Sequence, residues 1–333
     1  MAALTADSIL ALARNFMECR ILLTAADLDL FTMLASVPLT AAEVTKRLKA
    51  DKRAMTILLD ALAAIELLSK HDGRYRCEPE VAAHLSAGSP QSVLPMVLHS
   101  AGLWQRWSEL TGIVRGNTQS RTRAQAPGDD ARQRAFIGAM QVVGGPVAQA
   151  VVAAIDPGSA RMLLDIGGAS GTYTLAFLNA APQMRATLFD LPAVIEMARE
   201  RLGAAGVLPR VRLVGGDFDP DELPGGHDLA LLSAIIHQNS PEQNVELCRK
   251  AWRALVPGGR LVIRDHVMSP DRLQPRSGAV FAVNMLAGTE GGNVYTFEEC
   301  QEALTEAGFT RVRLLQKSDH RMNGLVEAFK PAK

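Results

Sequence analysis

The run Leu163-Leu164-Asp165-Ile166-Gly167-Gly168-Ala169-Ser170-Gly171-Thr172 reads as a buried strand that breaks into a glycine turn and continues as a helix. In open α/β sheets, ligands bind at such strand ends. Glycines there let the backbone approach a ligand closely and adopt conformations that a Cβ forbids. The spacing is GGxxG behind an acid, unlike the GxGxxG of dinucleotide enzymes, and the turn has no phosphate-binding lysine. A turn made of Asp165, Gly167, Gly168 and Gly171 therefore suits a ligand with a cationic amino-acid portion and no pyrophosphate. S-adenosylmethionine meets that description better than NAD. Two more acids close the next strands. Asp190, in Leu188-Phe189-Asp190-Leu191-Pro192, is expected to accept both hydroxyls of a ribose, with Leu191 beside it. Asp217, in Gly215-Gly216-Asp217-Phe218, can take an adenine amino group while the Phe218 ring packs on the base. Each acid alone could equally be a turn or helix cap. Three of them on successive strand ends point to one cofactor site.

A candidate base follows in Ser233-Ala234-Ile235-Ile236-His237-Gln238-Asn239-Ser240-Pro241-Glu242-Gln243. Ser240 suits a helix N-cap, Pro241 the first helical position, and Gln243 completes a capping box. His237 is thereby held just past a strand, on the ligand-facing edge, where a histidine can act as general base near neutral pH. The plainer alternative is a histidine that only fills the strand end. After Pro257-Gly258-Gly259 the next strand delivers Arg264-Asp265-His266. Asp265 is expected beside His237, because the fourth and fifth strands are neighbours in this topology.

The elements that must position these residues divide the chain. From Arg161 onward, short β-type runs near 161–166, 185–189, 211–214, 228–233 and 260–265 alternate with helices near 172–180, 193–204, 241–255 and 297–307. Alternation of this kind signals a parallel sheet of βαβ units. A last pair near 310–316 and 323–329 has no helix between its members, so it should close the sheet as an antiparallel hairpin. The fold class is thus α/β, with a Rossmann-like, mostly parallel seven-stranded sheet. Residues about 5–90 instead read as short helices, with Thr40 and Glu43 forming a capping box, a second helix from Lys52 to Leu67, and a hairpin turn at Asp72-Gly73. Helix, helix, hairpin is a winged helix. The expected division is 1–105 for an α-helical winged-helix dimerisation domain and 106–333 for the cofactor-binding domain, with linker helices over 106–155 and a loop over 125–130.

Composition limits the partners. Lys plus Arg and Asp plus Glu are 35 each, so no basic excess is available for a nucleic-acid backbone or an anionic membrane. The helix in the recognition position of the winged helix is basic only at Lys52 and Arg53, which favours packing against protein over DNA. No uninterrupted apolar run approaches the roughly 20 residues that span a bilayer, and no signal-peptide pattern opens the chain. A cytoplasmic protein with a small-molecule partner is expected. Cys19, Cys77, Cys248 and Cys300 are scattered without zinc-type spacing, so no metal is expected and the thiols should be reduced.

Taken together, these motifs resemble the dimeric small-molecule O-methyltransferases, the superfamily of plant caffeate and bacterial hydroxyneurosporene O-methyltransferases, along essentially the whole chain. The resemblance implies methyl transfer from S-adenosylmethionine to a small acceptor, a homodimer formed through the N-terminal domain, and S-adenosylhomocysteine as product. It further implies that His237 is the base, that Asp265 is an acid flanking it, and that Ser233 contacts the cofactor. Phe136, Met140, Phe281, Asn284, Met285 and Thr289 fall in regions that line the acceptor pocket of such enzymes. The plant pattern His-Asp-Trp is replaced by His237-Gln238-Asn239, and Val294 stands where a second flanking acid is expected, with Glu290 a candidate to compensate. Sulfur, nitrogen or carbon acceptors remain alternatives to a hydroxyl. Outside this class stand an NAD oxidoreductase and a non-catalytic S-adenosylmethionine-binding regulator.

Overall fold

The computed structural model describes residues 4–117 and 130–333. The loop expected over 125–130 lies outside the described residues except for Asp130, which begins a helix. The chain divides into two compact units, residues 1–104 with 130–142, and residues 105–129 with 143–333.

In the first unit, helices including Leu30–Ser36, Ala41–Leu48 and Lys52–Ala64 surround a core of Leu30, Phe31, Leu34, Val44, Leu59 and Leu62. The capping box is present: Thr40 Oγ1 accepts from the Glu43 N–H at 3.2 Å, and the Glu43 carboxylate accepts from the Thr40 N–H at 2.7 Å. The helix expected to reach Leu67 stops at Ala64. Glu66 turns into the left-handed region (φ 62°), which brings Leu68 back into the core and leads into a hairpin. That hairpin is β2 (Ser69–His71) and β3 (Arg74–Arg76), with Asp72 and Gly73 both at positive φ as a two-residue turn requires. A short strand β1 (Leu39–Thr40) pairs with β3 and makes the wing three-stranded. By contrast, helix Ala6–Arg14 buries none of its residues, and Ile9, Leu12, Phe16 and Met17 are all at least half exposed in the single chain.

The second unit is built on β4 (Met162–Ile166), β5 (Arg185–Asp190), β6 (Val211–Gly215), β7 (His227–Ser233), β8 (Leu255–Asp265), β11 (Thr310–Gln316) and β12 (Gly324–Phe329). They form one sheet in the order β11-β12-β8-β7-β4-β5-β6. Strands β8 to β6 in that order run parallel, and β12 returns antiparallel to both β8 and β11. A small parallel pair, β9 (Val267–Met268) and β10 (Tyr295–Thr296), lies beside it. Period-two alternation sends Leu163, Leu231 and Val262 to one face and Leu164, Leu232 and Ile263 to the other. Because helices cover both faces, the central strands are apolar on both sides. Val151, Val152, Phe177 and Leu202 cover the first face; Leu247, Ala251 and Leu304 cover the second.

The stretch Phe136–Ile155 is long and apolar enough to cross a bilayer, but its second half packs Val147, Val151, Val152 and Ile155 into the sheet core. At the far side of the sheet the fully buried Glu327 joins two arginines. Arg260 donates to its Oε2 at 2.8 Å and also to the Ile155 carbonyl at 3.1 Å, while Arg313 donates to Oε1.

Candidate active site

All the parallel strands end on one edge, in register: Ile166 pairs with Phe189 and Leu232, Asp190 with Gly215, and Ser233 with Arg264. The glycine turn opens that edge. Gly167 has φ 68° and donates its N–H to the Phe189 carbonyl at 2.8 Å. A Cβ there would lie 2.5 Å from Ile235 Cδ1, and one on Gly168 would lie 2.7 Å from Leu188 Cγ. Only glycine fits this floor. Gly171, at φ 79°, caps the helix Thr172–Ala180.

Asp165 is 1% exposed, beneath the turn. Its Oδ2 accepts from both the N–H (3.1 Å) and the hydroxyl (2.6 Å) of Thr174, so it ties the strand to the helix. Burial pushes its carboxyl up to about 6 against these two bonds. From beneath the turn Asp165 supports it through Thr174. Arg201, not anticipated from sequence, braces the turn from the side by donating to Ser170 Oγ at 2.9 Å and Thr172 Oγ1 at 2.5 Å. Asp190 accepts one backbone N–H on each oxygen, from Ala169 and from Leu191, both at 2.7 Å. Each oxygen keeps a free lone pair. Burial raises the Asp190 carboxyl and outweighs those two bonds. Leu191 is exposed, as is Asp217, whose Oδ1 accepts from the Asp219 N–H at 2.9 Å. The Phe218 ring comes within 4.0 Å of the Cβ position of Gly167, so it borders the turn.

The histidine and its acid meet on the next two strand ends. His237 Nδ1–H donates to the Asp265 carboxylate, at 2.9 Å and 3.0 Å to its two oxygens. Asp265 is 1% exposed and also accepts the His266 N–H at 2.8 Å. Burial pushes its carboxyl up, but the charge and hydrogen bond of His237 and the N–H of His266 outweigh this and hold it below the ordinary range. His237 sits in a 3-10 turn, Ile236–Gln238, and two carbonyls of the turn and that of Asn239 just after it are each held by a donor. Asn293 donates to His237 O at 2.9 Å, Asn244 to Ile236 O at 2.9 Å, and Tyr295 to Asn239 O at 2.5 Å. Neither Asn244 nor Tyr295 carried a sequence signal, because each acts through a long-range backbone contact. Phe281 meets the His237 ring edge-on at 4.9 Å and the His266 ring at 5.4 Å. Burial pushes His266 down to about 4, so it is neutral near pH 7.

The remaining predicted lining residues are distributed unevenly. Asn284 Oδ1 accepts from Trp107 Nε1 at 2.9 Å, and Met285 is buried. Thr289 is turned to a helix end, donating to Met285 O and accepting from Gly292 N. Phe136 and Met140 belong to the first unit, where Phe136 packs on the His99 ring at 5.3 Å. Glu290 is exposed, and Val294 is buried with its carbonyl accepting from Arg272. Among the described residues, the carboxylate paired with His237 is that of Asp265. No group of three metal-ligating side chains occurs among them.

A glycine floor that any side chain would fill, with carboxylates on the strands to one side and a carboxylate-backed histidine to the other, suits a nucleoside carrying an amino-acid tail. The class so defined is that of S-adenosylmethionine-dependent methyltransferases. Residues 109–310 match the O-methyltransferase domain and residues 10–86 the O-methyltransferase dimerisation domain, and the chain belongs to this family. It is 34% identical over 92% of its length to the tetracenomycin polyketide synthesis 8-O-methyl transferase TcmO of Streptomyces glaucescens, covering 91% of that protein. It is 30% identical over 98% of its length to the N,N-dimethyltransferase OxyT of Streptomyces rimosus, covering 97% of it. Among solved structures, PigF with SAH superposes with a TM-score of 0.88 at 27% identity, covering 98% of this chain and 100% of that one. The enzyme transfers a methyl group from S-adenosylmethionine to a small-molecule acceptor.

Proposed function

We propose that the acceptor is a hydroxyl and that His237 removes its proton, with Asp265 holding the ring. The carrying observation is the Nδ1–H bond to Asp265, which leaves Nε2 as the proton-accepting nitrogen. S-adenosylmethionine supplies a methyl group on a sulfonium, already strongly electrophilic. The protein has to align the acceptor and accept one proton. Gly167, Gly168, Gly171, Asp190, Leu191, Asp217, Phe218 and Ser233 hold the cofactor, with Asp165 as support. Phe281, against the His237 ring, shapes the acceptor side with Asn284 and Met285. Transfer to nitrogen is the second reading, favoured by the likeness to OxyT. A metabolite panel read out by S-adenosylhomocysteine release separates the two, and titration with S-adenosylmethionine, NADH and duplex DNA tests the cofactor against the other classes.

Asp190→Ala should weaken S-adenosylmethionine binding by about tenfold to a hundredfold, because two ribose hydroxyls lose a charged acceptor. Unchanged affinity in calorimetry would remove that assignment.

The N-terminal unit forms a homodimer in this reading, in a cytoplasmic enzyme. Helix Ala6–Arg14 and its neighbour expose Ile9, Leu12, Phe16 and Met17 together, a patch uncommon on monomers. Light scattering at low micromolar concentration should give a mass near twice 35.7 kDa. A stable, active monomer contradicts it.

A further inference from the structure

Arg264 precedes Asp265 on β8, so its side chain leaves the sheet on the opposite face from that carboxylate. It is 2% exposed. Nη1 donates to Ser233 Oγ at 3.2 Å, and Nη2 reaches the Arg321 carbonyl at 3.4 Å. The guanidinium carbon stands 5.1 Å from the centroid of the Tyr173 ring, on the helix that begins at the glycine turn. Nε is buried with no hydrogen-bond partner. Among the described residues no carboxylate lies within ion-pair distance of Arg264, whereas the half-buried Arg260 has Glu327. A buried cation without a negative partner is costly. A ligand anion would remove that cost.

The strand order says which anion. Asp190 on β5 and Asp217 after β6 take the ribose and adenine, to one side of β4. The other end of the cofactor must then run from β4 toward β7 and β8, where Ser233 and Arg264 stand in register. We propose that Arg264 is the receptor for the carboxylate at the amino-acid end of S-adenosylmethionine, a proposal that rests on the glycine turn being the cofactor site. The unpartnered Nε and its neighbouring Nη form the planar edge that binds a carboxylate in bidentate fashion. Since substrate and product cofactor share that carboxylate, the contact is made equally before and after transfer. It lowers KM and leaves kcat unchanged.

Calorimetry with S-adenosylhomocysteine and its decarboxylated analogue, on the wild type and on Arg264→Gln, tests this. The wild type should bind S-adenosylhomocysteine about tenfold to a hundredfold more tightly than the analogue, and Arg264→Gln should lose that preference. Arg264→Lys should recover part of it. The ligand-free melting temperature of Arg264→Gln should be unchanged or higher, because an uncompensated buried charge is gone. Equal binding of the two ligands by the wild type overturns the proposal without needing a variant, as does a folded Arg264→Gln that keeps the wild-type preference. If the wild type bound the analogue but not S-adenosylhomocysteine, Arg264 would again be excluded with the cofactor site intact. Binding of neither ligand would overturn the cofactor site itself, and the proposal with it.

Discussion

His237→Ala is expected to lose about 10² to 10⁴ in kcat, the usual contribution of general-base catalysis. Its affinity for S-adenosylmethionine should barely change, because His237, in the turn that follows β7, is not one of the groups proposed to hold the cofactor. Asp265→Asn should show a smaller loss of the same kind. An amide in place of the carboxylate still reaches Nδ1, but it neither enforces the Nδ1–H tautomer nor stabilises the imidazolium as a charge does. The Asp265 carboxyl, depressed by His237, stays ionised well into acid, so its contribution to stability is present above its ordinary value of 3.8 and is lost only as pH falls through the lower folded value. Nearly full activity of His237→Ala on the true acceptor would overturn general-base oxygen transfer. Proximity-driven transfer to sulfur, or to an acceptor already ionised, would then be the better account.

The largest effect on stability is expected at Glu327. This carboxylate is fully buried between Arg260 and Arg313, and removing one partner of a buried ion pair costs about 3–5 kcal/mol. Glu327→Ala should therefore lower the melting temperature of the second unit by roughly 6–20 °C, at about 2–4 °C per kcal/mol for a domain of this size. Arg260 would keep its carbonyl contacts at Ile155 and Asp156 but lose its counter-charge. Arg313, with 63% of its side chain exposed, can return to water, so Arg313→Ala should move the transition little. Similar melting temperatures for the two variants would show that the buried carboxylate is not the keystone of this cluster. The point bears on the site because β12, which carries Glu327, pairs along β8 up to Asp265.

Much of this protein could be derived from local spacing. Strand, glycine turn and helix around Gly167–Gly171, the capping boxes at Thr40 and Ser240, and the Asp72-Gly73 turn each depend on residues within a few positions of one another. Alternating β-type and helical runs imply a parallel sheet, and a parallel sheet brings its strand ends to one edge. That reasoning already sets Asp190, Asp217, His237 and Asp265 on a common rim. It cannot say which way a rim side chain points or what it meets there. Asp165 turns inward to Thr174 because the helix start passes over it, Thr289 is used to end a helix, and Val294 brings no carboxylate to His237, whose acid partner is Asp265. Asn244, Tyr295 and Arg201 act on backbone or hydroxyls about eight to 56 residues away in sequence. Arg264 shows the limit most clearly. Its neighbours in sequence, Asp265 and His266, suggest a charged cluster, yet the pleat sends it to the other face, beside Tyr173 and Ser233. Types and spacing determine which groups are available, since they act through bonds and near neighbours. Which of those groups are buried, paired or left without a partner is decided only when distant strands and helices pack, because burial and electrostatic pairing are properties of contacts that the chain order does not contain.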